Sequence, residues 1–351
     1  MMKALRLWRS KMSPALDLGQ GWAKAVCLAG NRKRIELHRL GRMPLVQEEL
    51  NQLSRLGDRL RAFWNSLQVD QQGIVSSLAG HSVIIKQLDM PVGRSRDMQQ
   101  AILDQAQEYI PFDMQDVYLD FQLMGPGQQE DTQNVILVAS KKQMVQNLQN
   151  ILSAAGFGAS ILDVNGFALS NCFEFSYPEY KEHCSYLLDI GSAQSTFCVY
   201  AQGRPVLVRD MDLGARHLLE RLAAALDRSL QDVEKLHLLQ GKELSNQDRT
   251  TLDRERQKLY ASWSSEIQRL INFYQASLQD DARAGRLFLA GGGSLLPGLS
   301  SSLAHNLELE VQFLDPLRSL AWDSSRFDPA YLQSISPQFA VAVGLALRQL
   351  L

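Results

Sequence analysis

The sequence predicts an α/β protein of two duplicated lobes, each a mixed sheet flanked by helices and each carrying an inserted subdomain. Three observations predict it. A length of 351 residues suits two lobes better than one domain. A block of three short strands occurs twice, beginning at Ala15 and again at Tyr186. A late strand then runs into Gly291-Gly292-Gly293.

The first block is Ala15-Leu16-Asp17-Leu18-Gly19 followed by Lys24–Leu28 and Ile35–Leu40, with Gly30-Asn31 at the turn between them. The second is Tyr186–Gly191, then Ser195–Tyr200, a turn at Gln202-Gly203, and Pro205–Arg209. In both, the first strand ends in Asp-apolar-Gly, and the aspartates lie 172 positions apart (189 − 17), about half the chain. Two copies of one unit, each opening with an antiparallel meander, explain this most simply.

Helical spacing follows each meander. Glu49–Leu67 sets Leu50, Leu53, Leu60, Phe63 and Leu67 on one face, and Gly214–Leu226 repeats the periodicity. Residues 81–139 read as an inserted small domain: strand Val83–Met90, helix Met98–Tyr109, and strands Val117–Leu123 and Asn134–Ala139. Pro111 and Gly125-Pro126-Gly127 punctuate it. A helical insertion spans 228–284, with Trp263, Ile267, Leu270, Tyr274 and Leu278 on a core-facing stripe. The expected division puts 12–80, 140–180 and 337–351 in the first lobe core and 184–227 with 285–336 in the second. The apolar closing helix, Phe339–Leu351, should pack back onto the first lobe.

A hydrophobic share of 45 % and a charged share of 21 % are those of a globular protein with a real core. A net charge of −2 gives no overall bias toward nucleic acid, yet residues 1–42 hold ten Lys/Arg against Asp17 and Glu36. That start sums to +8 and leaves −10 for the remainder. Cys27, Cys172, Cys184 and Cys198 are far apart, and three sit in apolar runs, the pattern of buried thiols in a reducing compartment. No apolar run approaches the ~20 residues a membrane-spanning helix needs. Met1–Pro14 lacks the apolar segment of a signal peptide. The expectation is a cytoplasmic protein whose membrane contact is peripheral. Met1–Lys11, with Leu5, Leu7 and Trp8 among Lys3, Arg6, Arg9 and Lys11, reads either as a short interfacial helix or as a frayed terminus.

Three glycine-bearing segments carry the chemistry. In Asp17-Leu18-Gly19-Gln20-Gly21-Trp22-Ala23-Lys24, a tight turn with two glycines lets backbone N–H groups approach phosphate oxygens without a Cβ in the way. Asp17 could hold a hydrated Mg²⁺, and Lys24 could offset phosphate charge. Alone, this segment is more often an ordinary hairpin with a capping Asp than a phosphate site. Its second copy, around Asp189 and Gly191, adds Ser192, Gln194, Ser195 and Thr196 as hydroxyl and amide donors. Strand Arg286–Ala290 then meets Gly291, Gly292, Gly293 and Ser294, and Leu295-Leu296-Pro297-Gly298-Leu299 opens a helix. Glycines before a helix start form a concave site where backbone can lie flat on a ligand.

In order and spacing these elements resemble the actin-like ATPase superfamily, which includes actin, Hsp70, hexokinase and the cell-division protein FtsA. The resemblance implies an actin-like ATPase fold binding ATP or ADP with Mg²⁺, the metal held through water by Asp17 and Asp189. The two turns correspond to the family's phosphate motifs and the glycine run to its adenosine motif. Val233-Glu234-Lys235-Leu236-His237 is similar to the family's Ala-Glu-x-apolar-Lys helix, which implies Glu234 at the ribose and His237 in place of the adenine-side Lys. Within the superfamily, Ile102–Asp113 with Asp116–Phe121, Val138–Lys142, Leu162–Leu169 and Arg209–Gly214 resemble the PilM family of type IV pilus assembly proteins, which brings Gly214 into the site.

That resemblance implies a peripheral inner-membrane scaffold of pilus (fimbrium) biogenesis and twitching motility. It would capture the cytoplasmic N-terminal peptide of PilN, a single-span membrane protein, in a groove between residues 12–80 and 81–139, by backbone pairing and a few apolar anchors. It would link PilN to pilus assembly ATPases and inner-membrane alignment proteins; self-association stays open. Gln20 and Trp22 stand where serines are common, and Asn165 where a Glu is common. Hydrolysis needs a carboxylate or amide to orient water, and Asp163 or Gln194 are the candidates left. The expectation is nucleotide binding with slow or absent turnover.

The six histidines (38, 81, 183, 217, 237, 305) form no His-Glu-x-x-His. There is no Gly-x-x-x-x-Gly-Lys-Ser/Thr loop and no Gly-x-Ser-x-Gly elbow. Three alternatives share the fold: a sugar kinase, for which no sugar-site motif is present, an FtsA-like filament former, and an assembly protein of a related secretion or pseudopilus system.

Overall fold

Two five-stranded sheets of the same strand order organise the chain in the computed structural model, which describes residues 11–46, 49, 52–70, 73–80, 83–91, 95–127, 131–238, 245–276 and 284–351. The first sheet holds β1 (Lys11–Leu18), β2 (Trp22–Asn31), β3 (Arg34–Pro44), β4 (Gly73–Leu78) and β8 (Gly158–Val164), in the order β3-β2-β1-β4-β8. The second holds β9 (Ser185–Ile190), β10 (Ser195–Ala201), β11 (Arg204–Met211), β12 (Arg286–Ala290) and β13 (Glu310–Phe313), in the order β11-β10-β9-β12-β13. Each is an antiparallel meander extended by two parallel strands. The hairpin registers coincide as well: Asp17 lies opposite Lys24, and Asp189 opposite Thr196.

Strands buried on both faces read as continuous apolar runs, and β10, buried from Ser195 to Tyr200, is the clearest case. Five layers result. Helices α1 (Leu53–Ser66) and α3 (Lys142–Ala154) cover the outer face of the first sheet around Leu56, Leu60 and Trp64. Helices α5 (Ala215–Leu226), α7 (Asn246–Ala276) and α8 (Leu299–Leu307) cover the outer face of the second. Between the sheets lie α4 (Asn165–Ser176), α9 (Pro329–Ile335) and α10 (Ala340–Leu347), in one core with Ala15, Val75, Leu187 and Phe288. Gly344 makes this layer thin: a Cβ there would lie 1.7 Å from the Ala168 carbonyl oxygen, so α4 and α10 cross backbone to backbone. Phe173 packs edge-on to Phe288 with centroids 4.7 Å apart, tying α4 to the second sheet.

Strands β5 (Val83–Pro91), β6 (Val117–Pro126) and β7 (Thr132–Lys141) form a separate antiparallel sheet, β5-β7-β6. Helix α2 (Ser95–Tyr109) closes its small core of Met90, Ile102, Ala106 and Val135. Helix α6 (Leu230–Leu238) precedes α7 in the second insertion.

Several expectations change. The buried stripe of α1 is Leu56, Leu60 and Trp64, while Leu53, at the first helical position, is 43 % exposed; Leu50 lies outside the described residues. On α7, Trp263, Ile267 and Tyr274 are buried as expected, Ile271 joins them, and Leu278 lies outside the described residues. The closing helix stops at Leu347 and packs on the first lobe as expected, against β1, β2, β4 and α4. One described helical stretch, Pro329–Leu347, is long and apolar enough by length and composition to cross a bilayer, against expectation. Most of it is buried, as the central layer of the core demands.

Candidate functional site

The β1–β2 turn and the β9–β10 turn close in the same way. The Gly19 N–H donates to the Trp22 carbonyl at 3.1 Å, and the Gly191 N–H to the Gln194 carbonyl at 3.0 Å. The two turns face each other across the lobes. A Cβ on Gly21 would lie 3.0 Å from both Cβ and Oγ of Ser192, so glycine is what lets the backbones meet. Gln20 at the tip is exposed, and Trp22, beside it, carries the Arg42 guanidinium 4.7 Å over its ring.

The triple-glycine segment is pressed against the end of β9. Gly291 adopts φ +83°, and a Cβ there would lie 2.3 Å from the Ile190 carbonyl oxygen and 2.5 Å from Asp189 Oδ1. A Cβ on Gly293 would come within 2.4 Å of Ile190 Cγ2. Ser294 Oγ donates to the Gly291 carbonyl at 2.7 Å, and Gly292 is exposed. The segment folds as a 3-10 turn over Gly292–Leu295, and α8 begins only at Leu299. The residue before a proline is driven out of helical backbone, and Leu296, before Pro297, is indeed extended with ψ 130°. The helix expected to open over Leu295–Leu299 begins at the last of these residues, held back by that proline.

Charge converges at the same place. Lys24 Nζ sits 2.7 Å from Asp17 Oδ2, both largely buried. Burial works to lower the Lys24 pKa, but the charges of Asp17 and Asp189 and the hydrogen bond to Asp17 outweigh it, and the pKa is raised. The Asp189 carboxyl is pushed up to about 6, first by burial and then by the like charges of Asp17 and Asp210, with Lys24 acting against them. Three carboxylates around one ammonium leave a surplus of negative charge, which suits a divalent cation. Among the described residues no three His, Cys, Asp or Glu side chains gather as a direct metal site. A cation there would be held mainly through water and the ligand.

Asp210 and Gly80 have no place in the sequence-derived site. Asp210 Oδ1 accepts from Thr196 Oγ1 at 2.6 Å, and Oδ2 accepts from the Gly80 N–H at 2.7 Å, joining the end of β4 in one lobe to β11 in the other. The only signal for Asp210 was its place in the run Arg209–Gly214. Gln194 donates to Asp212 Oδ1 at 3.2 Å, and Ser195 Oγ to the Leu213 carbonyl at 2.7 Å. Gly214 lies behind the second turn, where a Cβ would be 2.3 Å from the Ser192 carbonyl oxygen. The Ala215 and Arg216 N–H groups donate to the Gly191 and Ser192 carbonyls at 3.0 and 2.8 Å. Glu234 is exposed on α6, and among the described residues no hydrogen bond joins it to the turns. The His237 side chain lies outside the described residues. Asp163 is buried, accepts from the Val164 N–H at 2.8 Å and faces Arg348; burial raises its pKa, with the Val164 hydrogen bond and Arg348 opposing. Asn165 Oδ1 accepts from Ser77 Oγ at 2.6 Å.

A groove of about 760 Å³ lies away from these turns, between Lys86 and Gln87 of β5 and the Arg204–Arg209 stretch of β11. The groove expected for the peptide, between the inserted module and the first lobe, is a different one. That boundary is marked by Tyr118, 55 % exposed, with Lys142 Nζ 5.6 Å from its ring centroid.

Two lobes of one strand order that bring paired hairpin turns and a glycine run to a common cleft define the actin-like ATPase fold. Residues 15–350 match the family model of the type IV pilus assembly protein PilM, and the chain belongs to that family. A solved PilM-PilN type IV pilus biogenesis complex is 25 % identical, covers 97 % of this chain and 98 % of its own, and superposes with a TM-score of 0.84. Two more distant structures share the fold. The ethanolamine utilization protein EutJ from Carboxydothermus hydrogenoformans is 13 % identical over 96 % of this chain and 89 % of its own, with a TM-score of 0.56. MreB5 of Spiroplasma citri bound to AMPPNP is 11 % identical over 95 % and 94 %, with a TM-score of 0.50.

Proposed function

We propose that this type IV pilus assembly protein is a nucleotide-binding scaffold that holds the N-terminal cytoplasmic tail of PilN at the inner face of the membrane. The observation that carries the nucleotide half is the meeting of Gly21 with Ser192 and of Gly291 with Asp189 in a cleft with surplus carboxylate. Asp17, Gly19, Gln20, Gly21 and Lys24 from one lobe, and Asp189, Gly191, Ser192, Gln194, Ser195 and Thr196 from the other, would line the phosphates. Gly291–Ser294, with Gly214, Glu234 and His237 on the second lobe, would take the nucleoside. A Mg²⁺ ion, when bound, neutralises phosphate charge; Asp17 and Asp189 would hold it through water.

Turnover is slow or absent on this reading, because Asp163, Asn165 and Gln194 each hold another protein partner. Asp163 is engaged by Val164 and Arg348, Asn165 by Ser77, and Gln194 by Asp212. The division into lobe cores 12–80, 140–180 and 337–351 against 184–227 and 285–336 makes 81–139 the docking module. It leaves Tyr109, Tyr118 and Leu123 exposed as apolar anchors.

The test is a calorimetric titration of the full chain with the cytoplasmic tail peptide of the adjacent single-span protein, with and without ATP–Mg²⁺. Saturable binding that falls on Tyr118→Ala supports the module as the docking site. Binding unaffected there but lost on Arg209→Ala moves it to the β5–β11 groove. A turnover of ~1 s⁻¹ or above, ordinary for an enzyme, would refute the scaffold reading.

A further inference from the structure

Among the described residues, strand β11 is an edge of the second sheet, paired with β10 and with no strand on its other side. Its consecutive residues Arg204–Arg209 line the groove of about 760 Å³, so an open edge of main-chain groups borders that space. Opposite stands the inserted module. Ile85, Gln87 and Asp89, alternate residues of β5, line the groove, with Ile136 and Asn134 paired across from the last two. No backbone hydrogen bond joins β5 to β11 among the described residues. The pairing of β11 with β10 skips Val206, a bulge that resets the alternation. Arg204, Leu207 and Arg209 therefore lie opposite Ala201, Val199 and Phe197, alternate residues of β10, and share one face.

Charge along this groove is unbalanced. Arg209 Nη1 donates to the neighbouring Val208 carbonyl at 2.9 Å, and Arg204 Nη1 to Asn134 Oδ1 at 3.4 Å. Lys86 Nζ lies 5.9 Å from the Tyr109 ring centroid. Among the described residues none of these three cations has a carboxylate partner. Of the two acids on the wall, Asp89 accepts from Asn134 Nδ2 at 2.8 Å, and Glu182 is exposed. Burial lowers the Arg209 pKa, so a counter-charge gains most beside that guanidinium. Apolar surface lies along the groove too: Leu207, Ile85 and Ile136 line it, and Phe273 is 58 % exposed. Charge and proline commonly guard a sheet edge. Here Pro205 removes one donor, while positive charge rejects basic strands and admits acidic ones.

We infer that this groove is a docking site for an extended acidic segment of a partner protein, which adds to β11 as a sixth strand of the second sheet. The row Arg204, Leu207, Arg209 calls for carboxylate, apolar side chain and carboxylate at alternate positions, spanning about 13 Å of strand. A small anion would satisfy one arginine and leave the open edge unpaired. Because β11 belongs to the second lobe and the facing module to the first, the occupant also ties the two together. The site stands apart from the scaffold reading, since neither nucleotide nor the PilN tail enters it.

The experiment is fluorescence anisotropy of the full chain with a labelled probe peptide, Gly-Glu-Thr-Val-Thr-Glu-Gly. Two control peptides carry Lys for both Glu residues, or Pro for Val. The acidic probe should saturate with a Kd below about 1 mM, and each control should bind at least about tenfold more weakly. Arg204→Gln with Arg209→Gln should weaken the probe about tenfold, or about 1.4 kcal/mol, within the range of two cross-strand charge pairs. Arg254→Gln with Arg269→Gln on α7, exposed residues outside the groove, should bind like the parent. Thermal melting checks that both double variants fold, and hydrogen exchange should slow at β11 amides when the probe is bound. No saturation, a control peptide that binds like the probe, or a groove variant that binds like the parent overturns the inference. So does protection from exchange that spares β11. The PilN tail peptide should leave the probe in place; displacement would make the groove the tail's own seat and remove the second partner. Absent tail binding beside intact probe binding counts against the scaffold reading alone.

Discussion

Asp189→Asn tests the electrostatics of the cleft most directly. In the folded chain, burial and the like charges of Asp17 and Asp210 push the Asp189 carboxyl from 3.8 to about 6. Each unit of displacement corresponds to 1.36 kcal/mol, so ionised Asp189 costs the ligand-free protein up to about 3 kcal/mol at neutral pH. The sign follows from proton counting. The folded pKa lies above the unfolded one, so the native state binds the extra proton, and the contribution is present below about pH 3.8 and lost as pH rises through about 6. An amide cannot ionise, so the variant escapes that loss. Urea titration of ligand-free protein, followed by circular dichroism, should find Asp189→Asn more stable by about 1–3 kcal/mol at pH 8. The gap should close as the buffer approaches pH 4. Asp163 adds its own pH dependence to both proteins and cancels in the difference. A variant less stable than the parent at pH 8, or a gap that does not change with pH, would refute the picture of a strained carboxylate. If the cleft holds ATP–Mg²⁺, the same variant gains stability while losing affinity.

Gly344→Ala should lower the urea midpoint by the equivalent of about 3 kcal/mol or more, at or beyond the upper end of ordinary overpacking, because the new methyl meets the Ala168 carbonyl, a backbone atom that cannot rotate away. An unchanged midpoint would mean that α4 and α10 do not cross so closely. Gly21→Ala should weaken ATP binding about tenfold, a displacement worth about 1.4 kcal/mol. Adding Ser192→Gly, which removes the atoms the methyl meets, should restore most of it in the same calorimetric titration. Burial pushes the Cys27 thiol up to about 12 and those of Cys172 and Cys198 well above their usual range. Ellman's reagent at pH 8 should therefore reach Cys184 first in the native chain and all four thiols in urea, and rapid native titration of all four would contradict the core assignment.

The duplication was legible because its marks are local. Asp-apolar-Gly at the end of two strands, with a return strand at fixed register, needs only a period of two and a tight turn, and the structure sets Asp17 and Asp189 at matching positions. What escaped the sequence depends on distant partners. Helix periodicity along 49–67 fits more than one face, and only contact with the first sheet selects Leu56, Leu60 and Trp64 over Leu53. Gly344 carries no local sign that it will meet Ala168 across the core. Pro297 did carry a sign, read as a helix start, yet its effect on Leu296 delays the helix to Leu299. Asp210 resembles any carboxylate at a strand end until Gly80, 130 positions earlier, is brought to it.

That last contact makes Gly80 a natural gauge of motion. Its amide proton points across the gap between halves of the molecule, so every excursion that spreads them exposes it to solvent, while the amides of the strands behind it stay paired. Deuterium uptake at this position would count openings directly. Its slowing on addition of a ligand would report closure without any label or engineered probe.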